Sequence, residues 1–397
     1  MINKEVIIIG AGPAGLMAAN IIDKEFILLE KNNEVGKKIL ISGSGQCNYT
    51  NACKIKEFNE KFGNKKRFVQ YGFSKFSNED SIDFFKDKNL MSYIREDGKV
   101  FPSTLNAEDI INALTKKIKN KIKYDSEVLS VERKEEYYFI KTKNEIYKAK
   151  YVIISTGGRT YPKTGSTGDG YKFAKKLGIN IVKLKNGLCG LNIYEDLSEF
   201  SGISFKNISG EVYRNDRKII ELSGDLLFTH IGLSGPSIIN NSRYINEEDI
   251  IKINFSGMKK EEFENKFIEK IKKQSKKTVI NNIKEFDIPD RIIFKFLENI
   301  KLNIISAELN KKNRNLIIKN ITEKEFTVKK VGTLHNSMVT VGGIDLKEIN
   351  KKSMECKNNE NLFFIGEVLD VDGDTGGYNI QWAFTSANLA SSKINEN

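Results

Sequence analysis

Residues 6–15, VIIIGAGPAG, decide the fold of this chain. The apolar residues at the start predict a short buried strand, because apolar runs of this length bounded by glycine are typical of interior strands. The glycines that follow have the spacing GxGxxG, and the pattern predicts a helix over residues 13–22. At this spacing Gly10 permits a tight turn, Gly12 lets a pyrophosphate approach the backbone, and Gly15 lets the helix pack closely on the sheet.

The predicted strand–helix–strand unit has an acidic residue at the end of its second strand. A second strand is predicted over Glu25–Glu30, and Glu30 occupies the position from which a carboxylate accepts a hydrogen bond from a ribose hydroxyl. The helix that starts with Pro13 and Ala14 presents the free N–H groups of its first turn, to which proline contributes none, and the positive end of the helix dipole to an anion. A glycine turn without a ligand would not require the acid. These residues, together with Lys31, are therefore predicted to bind a dinucleotide.

Later segments favour FAD over NAD as the dinucleotide. A predicted strand ends in Thr156, Gly157 and Gly158, as expected where the chain returns to the dinucleotide, and Val128 lies in a short strand suited to flank an adenine. A glycine-rich run then opens the last predicted helix, whose N-terminus would stabilise negative charge on a reduced flavin. Tyr378 is expected to stack on the flavin or to hydrogen-bond near it. The candidate cofactor contacts in this run are Gly366, Glu367, Asp370, Gly376, Gly377, Tyr378 and Asn379.

The same run also contains alternating aspartates, which resemble the start of a calcium loop. Asp370, Asp372 and Asp374 alternate, but a calcium loop needs a glutamate at its twelfth position, where this chain has Gln381. The scattered cysteines form no CxxC pair, which argues against a zinc site and a disulfide framework. We therefore expect no metal site.

Length and composition are those of an ordinary globular protein. A chain of 397 residues is long enough for two or three domains, and 39% hydrophobic and 29% charged residues are usual values. No apolar stretch approaches the ~20 residues that a membrane helix needs, and the N-terminus lacks the features of a signal peptide. With unpaired cysteines, these features predict a cytoplasmic protein.

The net charge of +12 has two interpretations, which the sequence leaves open. It indicates an acidic partner such as nucleic acid, or it reflects only a lysine-rich composition. Nine of the 64 basic residues are arginine, the side chain preferred for bidentate phosphate and base contacts. Residues 65–67 and 116–123 are the candidate phosphate contacts. Nearby aromatic side chains would either stack on bases or pack the core: Phe68, Tyr71, Phe73 and Phe76.

A change in the sequence pattern near residue 186, to strand-like segments followed by a lysine-rich helical stretch, predicts an inserted domain. The predicted fold class is α/β, with a Rossmann-like FAD-binding domain made of residues 1–186 and 331–397 and an inserted domain over 187–330. The insertion divides into a β-rich part, 187–256, which forms a barrel or a sandwich, and a helical part, 257–325. The other predicted elements include helices over 79–90, 106–120 and 377–391, and short strands over 127–131, 137–142, 146–148 and 151–155.

These motifs together resemble one family, the BaiN-like (YhiN-like) NAD(P)/FAD-dependent oxidoreductases, which are distant relatives of two-dinucleotide-binding flavoproteins. The resemblance spans nearly the whole chain. It departs from the family pattern at Gln46, where arginine usually precedes Cys-Asn, and at Ala387, where glycine often follows the final serine. Besides the first glycine motif, it rests on GKKILISGSGQCNYTN (36–51), YPKTGSTGDG (161–170), LFTHIGLSGP (227–236), VTVGG (339–343) and the C-terminal run 366–383.

The resemblance implies an FAD held by the two terminal segments, with Lys38, Gly43, Gly45 and Asn48 as further cofactor contacts. It implies that NADH or NADPH reduces an activated carbon–carbon double bond through the flavin. The nicotinamide would visit the site transiently, because the sequence has no second GxGxxG. One branch of the family reduces a uridine of 23S ribosomal RNA to dihydrouridine, and another reduces conjugated oxo-bile acids. The positive charge favours RNA. The alternatives are a small conjugated carbonyl or steroid and a flavin-binding scaffold without catalysis.

Two side chains are candidate proton donors for such a reduction. Cys47 lies in the glycine-rich segment where the chain would pass the flavin, and His230 precedes a GLSGP turn. Each has a structural alternative: the thiol as a buried small apolar group, and the imidazole as a cap of the turn. His335, just after the insertion, is a weaker candidate.

Overall fold

Strands and helices alternate along most of the chain, and the computed structural model describes all residues from Met1 to Asn397. The strands are, in chain order, β1 (Ile2–Ile9), β2 (Phe26–Leu29), β3 (Thr50–Asn51), β4 (Ser92–Ile94), β5 (Lys99–Pro102), β6 (Ile122–Lys123), β7 (Val128–Lys134), β8 (Tyr137–Thr142), β9 (Ile146–Ile154), β10 (Ile181–Gly187), β11 (Leu191–Ile193), β12 (Ser204–Arg214), β13 (Arg217–Thr229), β14 (Gly232–Ser234), β15 (Ile250–Asn254), β16 (Lys324–Val331), β17 (Val339–Ile344) and β18 (Leu362–Phe364). The helices are α1 (Pro13–Ile21), α2 (Lys37–Ile41), α3 (Ile55–Glu60), α4 (Lys66–Phe73), α5 (Asn78–Lys86), α6 (Ala107–Thr115), α7 (Asp169–Lys176), α8 (Pro236–Ile239), α9 (Lys260–Lys273), α10 (Val279–Lys284), α11 (Asp290–Phe296), α12 (Lys311–Thr322) and α13 (Tyr378–Glu396).

The chain forms two units. The discontinuous unit combines Met1–Asn186 with Leu334–Asn397, and the inserted unit is Gly187–Thr333. The discontinuous unit is built on a seven-stranded sheet of order β6-β2-β1-β9-β8-β7, in which β18 also pairs with β9. The contacts among β6, β2, β1, β9 and β18 are parallel, whereas β7, β8 and β9 form an antiparallel meander. This arrangement confirms the predicted α/β class with a Rossmann-like sheet.

The core of the discontinuous unit forms around β1. Val6, Ile7 and Ile8 have no exposed surface, and β1 pairs in parallel with β2 on one side and β9 on the other. A strand of a parallel sheet that is covered on both faces reads as a continuous apolar run rather than an alternation. The burial therefore explains why the sequence pattern located this strand.

Strand β9 is continuous, although the sequence pattern predicts two separate strands in this region. Its first residues, Ile146 to Ala149, pair with β8 in the meander, and Val152 to Ile154 pair in parallel with β18. The prediction was wrong because the alternating pattern of the half-exposed meander changes to a continuous apolar pattern inside the sheet. The change in pattern marks a change in burial and not a break in the strand.

The two terminal segments of the chain meet through helices α1 and α13. The Ser391 hydroxyl donates to the Ala18 carbonyl at 3.4 Å, and the Asn395 side-chain amide donates to the Ile21 carbonyl at 3.0 Å. Small side chains on both helices permit this close approach, since Ala18 and Ala387 are fully buried. The last helix is therefore part of the same core as the first strand.

Several elements of the discontinuous unit were not predicted from the sequence, and most of them are short. They are the small antiparallel sheet β3-β5-β4, the two-stranded sheet β10-β17, and helices α3, α4 and α7. Helices α5 and α6 end at Lys86 and Thr115, earlier than their predicted ends, whereas α13 continues to Glu396. Element ends are set by tertiary contacts that the local pattern does not contain.

The inserted unit is a closed barrel of order β11-β14-β13-β12-β15-β16. This result decides between the barrel and the sandwich that the sequence left open. The predicted β-rich part, 187–256, omits β16, which closes the barrel by pairing with both β15 and β11. The predicted helical part was therefore wrong at its end: helices α9 to α12 lie between two strands of the barrel and finish at Thr322.

The helices of the inserted unit bury one face each and keep their lysines outside. In α9, Phe263, Phe267 and Ile271 recur every fourth residue and are buried, as expected for an amphipathic helix. Phe228, Phe255 and the other core rings of the barrel contact one another edge-on or stacked. No helix of the protein combines the length and the hydropathy of a membrane span.

Candidate functional site

The glycine motif forms the loop between β1 and α1. Gly10 has a φ of +101°, and a Cβ there would lie 2.8 Å from the Ser155 carbonyl oxygen. A Cβ on Gly15 would lie 1.9 Å from the Gly10 carbonyl oxygen, so the helix approaches the loop as closely as backbone atoms allow. A Cβ on Gly12 would meet no atom within 4 Å. The loop is therefore closed behind Gly10 and Gly15 and open at Gly12, where the sequence predicts the approach of a pyrophosphate.

Glu30 is buried at the end of β2 and also braces this loop. Its Oε2 accepts a hydrogen bond of 2.8 Å from the Ala11 N–H. Its Oε1 accepts from the Asn32 N–H at 2.9 Å and from the Asn32 side-chain amide at 2.8 Å. The carboxylate thus holds the loop in place in addition to its predicted contact with a ribose. The sequence motif contains no signal for Asn32.

Two further predicted contacts lie around Glu30. The Ser126 N–H donates to the Glu30 carbonyl at 2.8 Å, which places the start of β7, and hence Val128, beside the end of β2. Lys31 instead forms an ion pair of 2.7 Å with Asp169 at the start of α7. Burial raises the pKa of the Asp169 carboxyl, but hydrogen bonds from Lys31 and its neighbours outweigh it and lower the pKa to about 2. The Lys31 ammonium is therefore held within the protein.

Glu367 connects three segments that are distant in sequence. Its Oε2 accepts from Lys38 Nζ at 2.7 Å, and its Oε1 accepts from the Thr340 N–H at 2.8 Å. Thr340 Oγ1 in turn accepts from the Arg159 N–H at 2.8 Å and lies so close to Gly158 that a Cβ there would stand 2.2 Å away. Lys38, Glu367 and Gly158, all predicted as cofactor contacts, belong to this network. Thr340 is a member that the sequence analysis missed.

The C-terminal glycine run turns the chain into α13. Gly376 and Gly377 have φ values of +123° and +95°, and a Cβ on Gly377 would lie 2.3 Å from the Thr50 carbonyl oxygen. Asn379 holds the loop, because its Oδ1 accepts from the Gly373 N–H at 2.8 Å and its Nδ2 donates back to Gly373 at 3.0 Å. Neither α13 nor α1 has a side-chain cap at its N-terminus. Two helices thus keep their first N–H groups free of capping side chains.

The terminal segments meet at the glycine loop. A Cβ on Gly366 would lie 2.9 Å from Ala14 Cβ, and a Cβ on Gly10 would lie 3.1 Å from Thr156 Cα. Gly157 follows with a φ of +69°. Predicted contacts from the N-terminal, central and C-terminal motifs are thus brought together at one end of α1.

Tyr378 and Asp370 both make contacts within the discontinuous unit. The Tyr378 ring is buried against Phe58, with ring centroids 4.7 Å apart, and its hydroxyl faces Cys53 Sγ at 3.8 Å. A ring packed in this way has no free face for flavin stacking. Asp370 is buried and paired with Lys65, and burial raises the pKa of its carboxyl above the usual range. These contacts hold both side chains within the discontinuous unit, and the hydrogen-bonding role of Tyr378 and the cofactor contact of Asp370 stay predictions.

Cys47 lies in a strained glycine-rich segment, and its side chain is fully buried. Burial raises the pKa of the thiol to about 12, against the effect of a hydrogen bond with Ser42. Residues Gly43 and Gly45 have φ values of +56° and +87°, and the Asn48 amide anchors the segment by donating to the Thr50 carbonyl at 2.8 Å. The thiol thus occupies the buried position that the sequence analysis weighed against a role as proton donor.

The two histidines lie on the surface of their units. His230 is exposed between β13 and β14 of the inserted unit, and His335 is exposed near the start of the second segment of the discontinuous unit. The Thr229 hydroxyl, and not the imidazole, donates to the Gly232 carbonyl within this turn. Both histidines therefore have accessible side chains, and His230 remains the stronger candidate from the sequence.

The first of the two predicted basic segments, residues 65–67, has lysines that are paired with carboxylates. Lys65 pairs with Asp370 and Lys66 pairs with Glu60. The aromatic side chains around them are not exposed: Phe73 and Phe76 are buried, and Phe68 packs on Trp382 with ring centroids 6.1 Å apart. Of the two roles that the sequence left open, the structure shows core packing for Phe68, Phe73 and Phe76. Their apparent exposure came from the charged residues that flank them in sequence.

Comparison with known proteins decides the family. The HI0933-like protein Rossmann domain matches residues 4–393. The chain belongs to this family. HI0933-like relatives match it from end to end: it is 31% identical to a ribosomal RNA dihydrouridine synthase of Haemophilus influenzae, over 97% of this chain and 96% of that protein. It is 28% identical to a protein of the same name from Escherichia coli, over 96% of both chains.

Two other proteins extend the comparison of this HI0933-like chain. It is 25% identical to a 3-dehydro-bile acid delta(4,6)-reductase of Clostridium scindens, over 96% of this chain and 97% of that protein. Among solved structures, it is similar to a 3-ketosteroid delta1-dehydrogenase from Sterolibacterium denitrificans, with a TM-score of 0.52, 10% identity and full coverage of both chains. At that identity the structural likeness concerns the fold alone.

Proposed function

We propose that this protein is an FAD-dependent oxidoreductase that reduces a uridine of 23S ribosomal RNA to dihydrouridine. The observation that carries the proposal is the end-to-end match to two ribosomal RNA dihydrouridine synthases. The match includes the inserted unit, so the similarity extends beyond the part of the chain that would hold a cofactor. The net charge of +12 is consistent with an RNA substrate.

The residues of the discontinuous unit fit FAD. The open space at Gly12 and the uncapped start of α1 suit the pyrophosphate, and the buried Glu30 carboxylate suits a ribose hydroxyl. Val128 would flank the adenine, and the uncapped start of α13 after Gly377 would face negative charge on the flavin. When bound, FAD would supply hydride transfer between a nicotinamide and the substrate carbon.

The protein must also supply a proton. Reduction of a double bond conjugated to a carbonyl places a hydride on the β carbon and a proton on the α carbon, so a side-chain acid is needed. His230 has an exposed imidazole and is our proposed donor. NADH or NADPH is the proposed electron donor, binding transiently because the sequence has only the one GxGxxG motif.

The function is tested by expressing the gene in a bacterial strain whose ribosomal RNA lacks dihydrouridine. The large-subunit RNA is digested, and the nucleoside is measured by mass spectrometry. We expect dihydrouridine with the wild type and none with Glu30→Ala, because that variant loses the ribose contact and leaves the Ala11 N–H without its acceptor. Glu34→Ala is the matched control, since Glu34 is exposed and pairs only with Lys37.

A small conjugated carbonyl is the second candidate substrate, supported by the similarity to the bile acid reductase. Absence of dihydrouridine, together with bound FAD and NAD(P)H-dependent reduction of an unsaturated 3-oxo steroid in vitro, would replace RNA as the proposed substrate. A flavin that neither NADH nor NADPH reduces would instead support a scaffold without catalysis.

The proton donor is tested with His230→Ala, and His335→Ala tests the weaker candidate in the same way. We expect His230→Ala to keep its FAD and to slow the reduction of the substrate while leaving the reduction of the flavin by nicotinamide unchanged. Full turnover in His230→Ala would remove it as the acid.

A further inference from the structure

A pocket with a volume of about 380 Å³ opens on the discontinuous unit at the C-terminal end of α1. Three lysines contribute to its lining, and two of them rest on aromatic rings that also line it. The lining includes Asn20, Phe26, Phe84, Lys88, Lys117 and Lys121. We call it the lysine pocket. It is separate from the glycine loop, which lies at the other end of α1.

The cations of the lysine pocket have no carboxylate partner. Lys88, Lys117 and Lys121 form no ion pair, and Asp87, which also contributes to the lining, forms none with them. The lining therefore contains three ammonium groups and one carboxylate, and its net charge is positive.

The positions of the ammonium groups are held by neutral contacts. Lys88 Nζ donates to Asn20 Oδ1 at 2.8 Å and lies 4.7 Å from the centroid of the Phe84 ring. Lys121 Nζ lies 4.4 Å from the centroid of the Phe26 ring. The Asn20 amide is itself fixed, since it donates to the Leu114 carbonyl at 2.6 Å. Neutral groups therefore hold the ammonium groups in place, and their positive charge is not compensated by these contacts.

This clustering has an electrostatic cost. Burial lowers the pKa of Lys88, and the nearby Lys117 lowers it further. An anion bound among the lysines would remove this repulsion, because an opposite charge favours the charged form of each amine. The arrangement is therefore better suited to the bound anion than to water.

We propose that the lysine pocket binds phosphate groups of the RNA backbone; the inference rests on the proposed function. Both rings are already covered by lysines, so the pocket offers charge to phosphates and no free ring to a base, which is the pattern of positioning contacts. Helix α1 spans nine residues, or about 14 Å. An RNA chain is long enough to span that distance and to contact the pocket and the region of the glycine loop at once. Lys116 and Lys119, exposed on the same segment, extend the positive surface.

The test uses the full-length FAD-bound protein and a transcribed fragment of 23S ribosomal RNA. Binding is measured by fluorescence anisotropy over a series of salt concentrations. The variant Lys88→Gln/Lys117→Gln/Lys121→Gln is compared with Lys218→Gln/Lys266→Gln/Lys273→Gln, which removes the same charge from lysines that are each paired with a glutamate. We expect the pocket variant to bind RNA roughly tenfold more weakly at low salt. The slope of log K against log salt concentration should also become shallower by about 2, because each of the three lost phosphate contacts contributes ~0.7 with single-stranded RNA.

Three outcomes separate this inference from the proposed function. Equal effects of the two triple variants on affinity and salt slope would overturn the lysine pocket. Competition by adenosine monophosphate at the concentration of the RNA would also overturn it, because it would indicate a nucleotide site. Wild-type protein that binds RNA through the pocket but forms no dihydrouridine would support the pocket and contradict the proposed reaction. Unchanged FAD content in both triple variants shows that the fold is intact.

Discussion

At the scale of single residues, the glycines of the first loop differ in what surrounds them. Gly15 has backbone oxygen within 1.9 Å of the position of a Cβ, whereas Gly12 has no atom within 4 Å. Gly12 also has a φ of −80°, which any residue adopts. Glycine at position 15 is therefore required by the packing of the fold, whereas glycine at position 12 would be required only by a bound ligand.

We predict that Gly12→Ala loses FAD but folds normally, whereas Gly15→Ala loses stability. In the flavin-free state, Gly12→Ala should be within ~0.5 kcal/mol of the wild type, and Gly15→Ala should be destabilised by at least about 2 kcal/mol because its Cβ overlaps the Gly10 carbonyl. Flavin content per protein and denaturant unfolding measure the two effects. A Gly12→Ala variant that keeps a full complement of FAD would contradict the assignment of the open space.

The buried Cys47 predicts a specific alkaline instability. An unfolded thiol ionises near pH 9, and burial raises the pKa of Cys47 to about 12 in the folded protein. Its stabilising contribution is complete below pH 9 and is lost as the pH rises toward 12, because the unfolded state releases the proton first. We predict that, above pH 9, the unfolding free energy of the wild type falls by ~1.4 kcal/mol per pH unit more than that of Cys47→Ala. Equal slopes would show that the thiol is not shielded in solution.

Residue identity predicted some site positions and not others. Gly12, Gly15 and Glu30 belong to a motif whose spacing already encodes their geometry. Tyr378 and Asp370 do not, because their neighbours Phe58 and Lys65 come from α3 and from the segment before α4, elements without a sequence pattern. Tyr378 and Asp370 therefore contact residues in segments for which the sequence analysis predicted no element.

At the scale of elements, the start of α13 is constrained both by its backbone conformation and by a close approach to β3. Gly377 needs a positive φ, and its Cα faces the Thr50 carbonyl at a distance that excludes a side chain. Gly178 also needs a positive φ, but a Cβ there would meet no atom within 4 Å. The two glycines share backbone strain and differ only in the close approach.

We predict that Gly377→Ala costs more stability than Gly178→Ala and also releases FAD. Gly178→Ala should cost only the strain of a left-handed alanine, about 1–2 kcal/mol, and keep its flavin. Gly377→Ala adds a contact of 2.3 Å with the Thr50 carbonyl, which must displace the start of α13. Thermal unfolding and flavin content of the pair measure the difference, and equal behaviour of the two variants would exclude a role for this helix start.

Elements were predicted well where their own residues carry the pattern and poorly where a distant partner defines them. Strand β1 is predicted by its own apolar run. Strand β16 is not, since its alternation is short and its role depends on pairing with β15 and β11 at once. Closure of a barrel is a non-local property, and no window of sequence contains it.

At the scale of the whole molecule, the inserted unit has its own core and its own closed sheet. The chain enters and leaves it at neighbouring positions, because the Gly332 N–H donates to the Gly190 carbonyl at 3.2 Å. Residues 1–186 alone lack this independence, since β9 pairs with β18 and α1 packs on α13, both from the C-terminal segment.

We predict that residues 187–333 fold when expressed alone and that residues 1–186 do not. The isolated inserted unit should unfold cooperatively in urea, because its barrel is closed without any other segment. The N-terminal fragment lacks β18 and α13 and should show no cooperative transition. Circular dichroism of both fragments during urea unfolding is the measurement, and a non-cooperative inserted unit would contradict the prediction.

The sequence by itself determined the Rossmann-like sheet, the glycine loop and its acid, because strand, turn and helix propensities and the GxGxxG spacing are local properties. Only the tertiary structure decided which charges and rings remain free. Lys65 is paired with Asp370 and the Tyr378 ring is packed against Phe58, while Lys88, Lys117 and Lys121 line one pocket and form no ion pair. The physical reason is that burial and pairing depend on residues far apart in the chain, which only the folded backbone brings within reach.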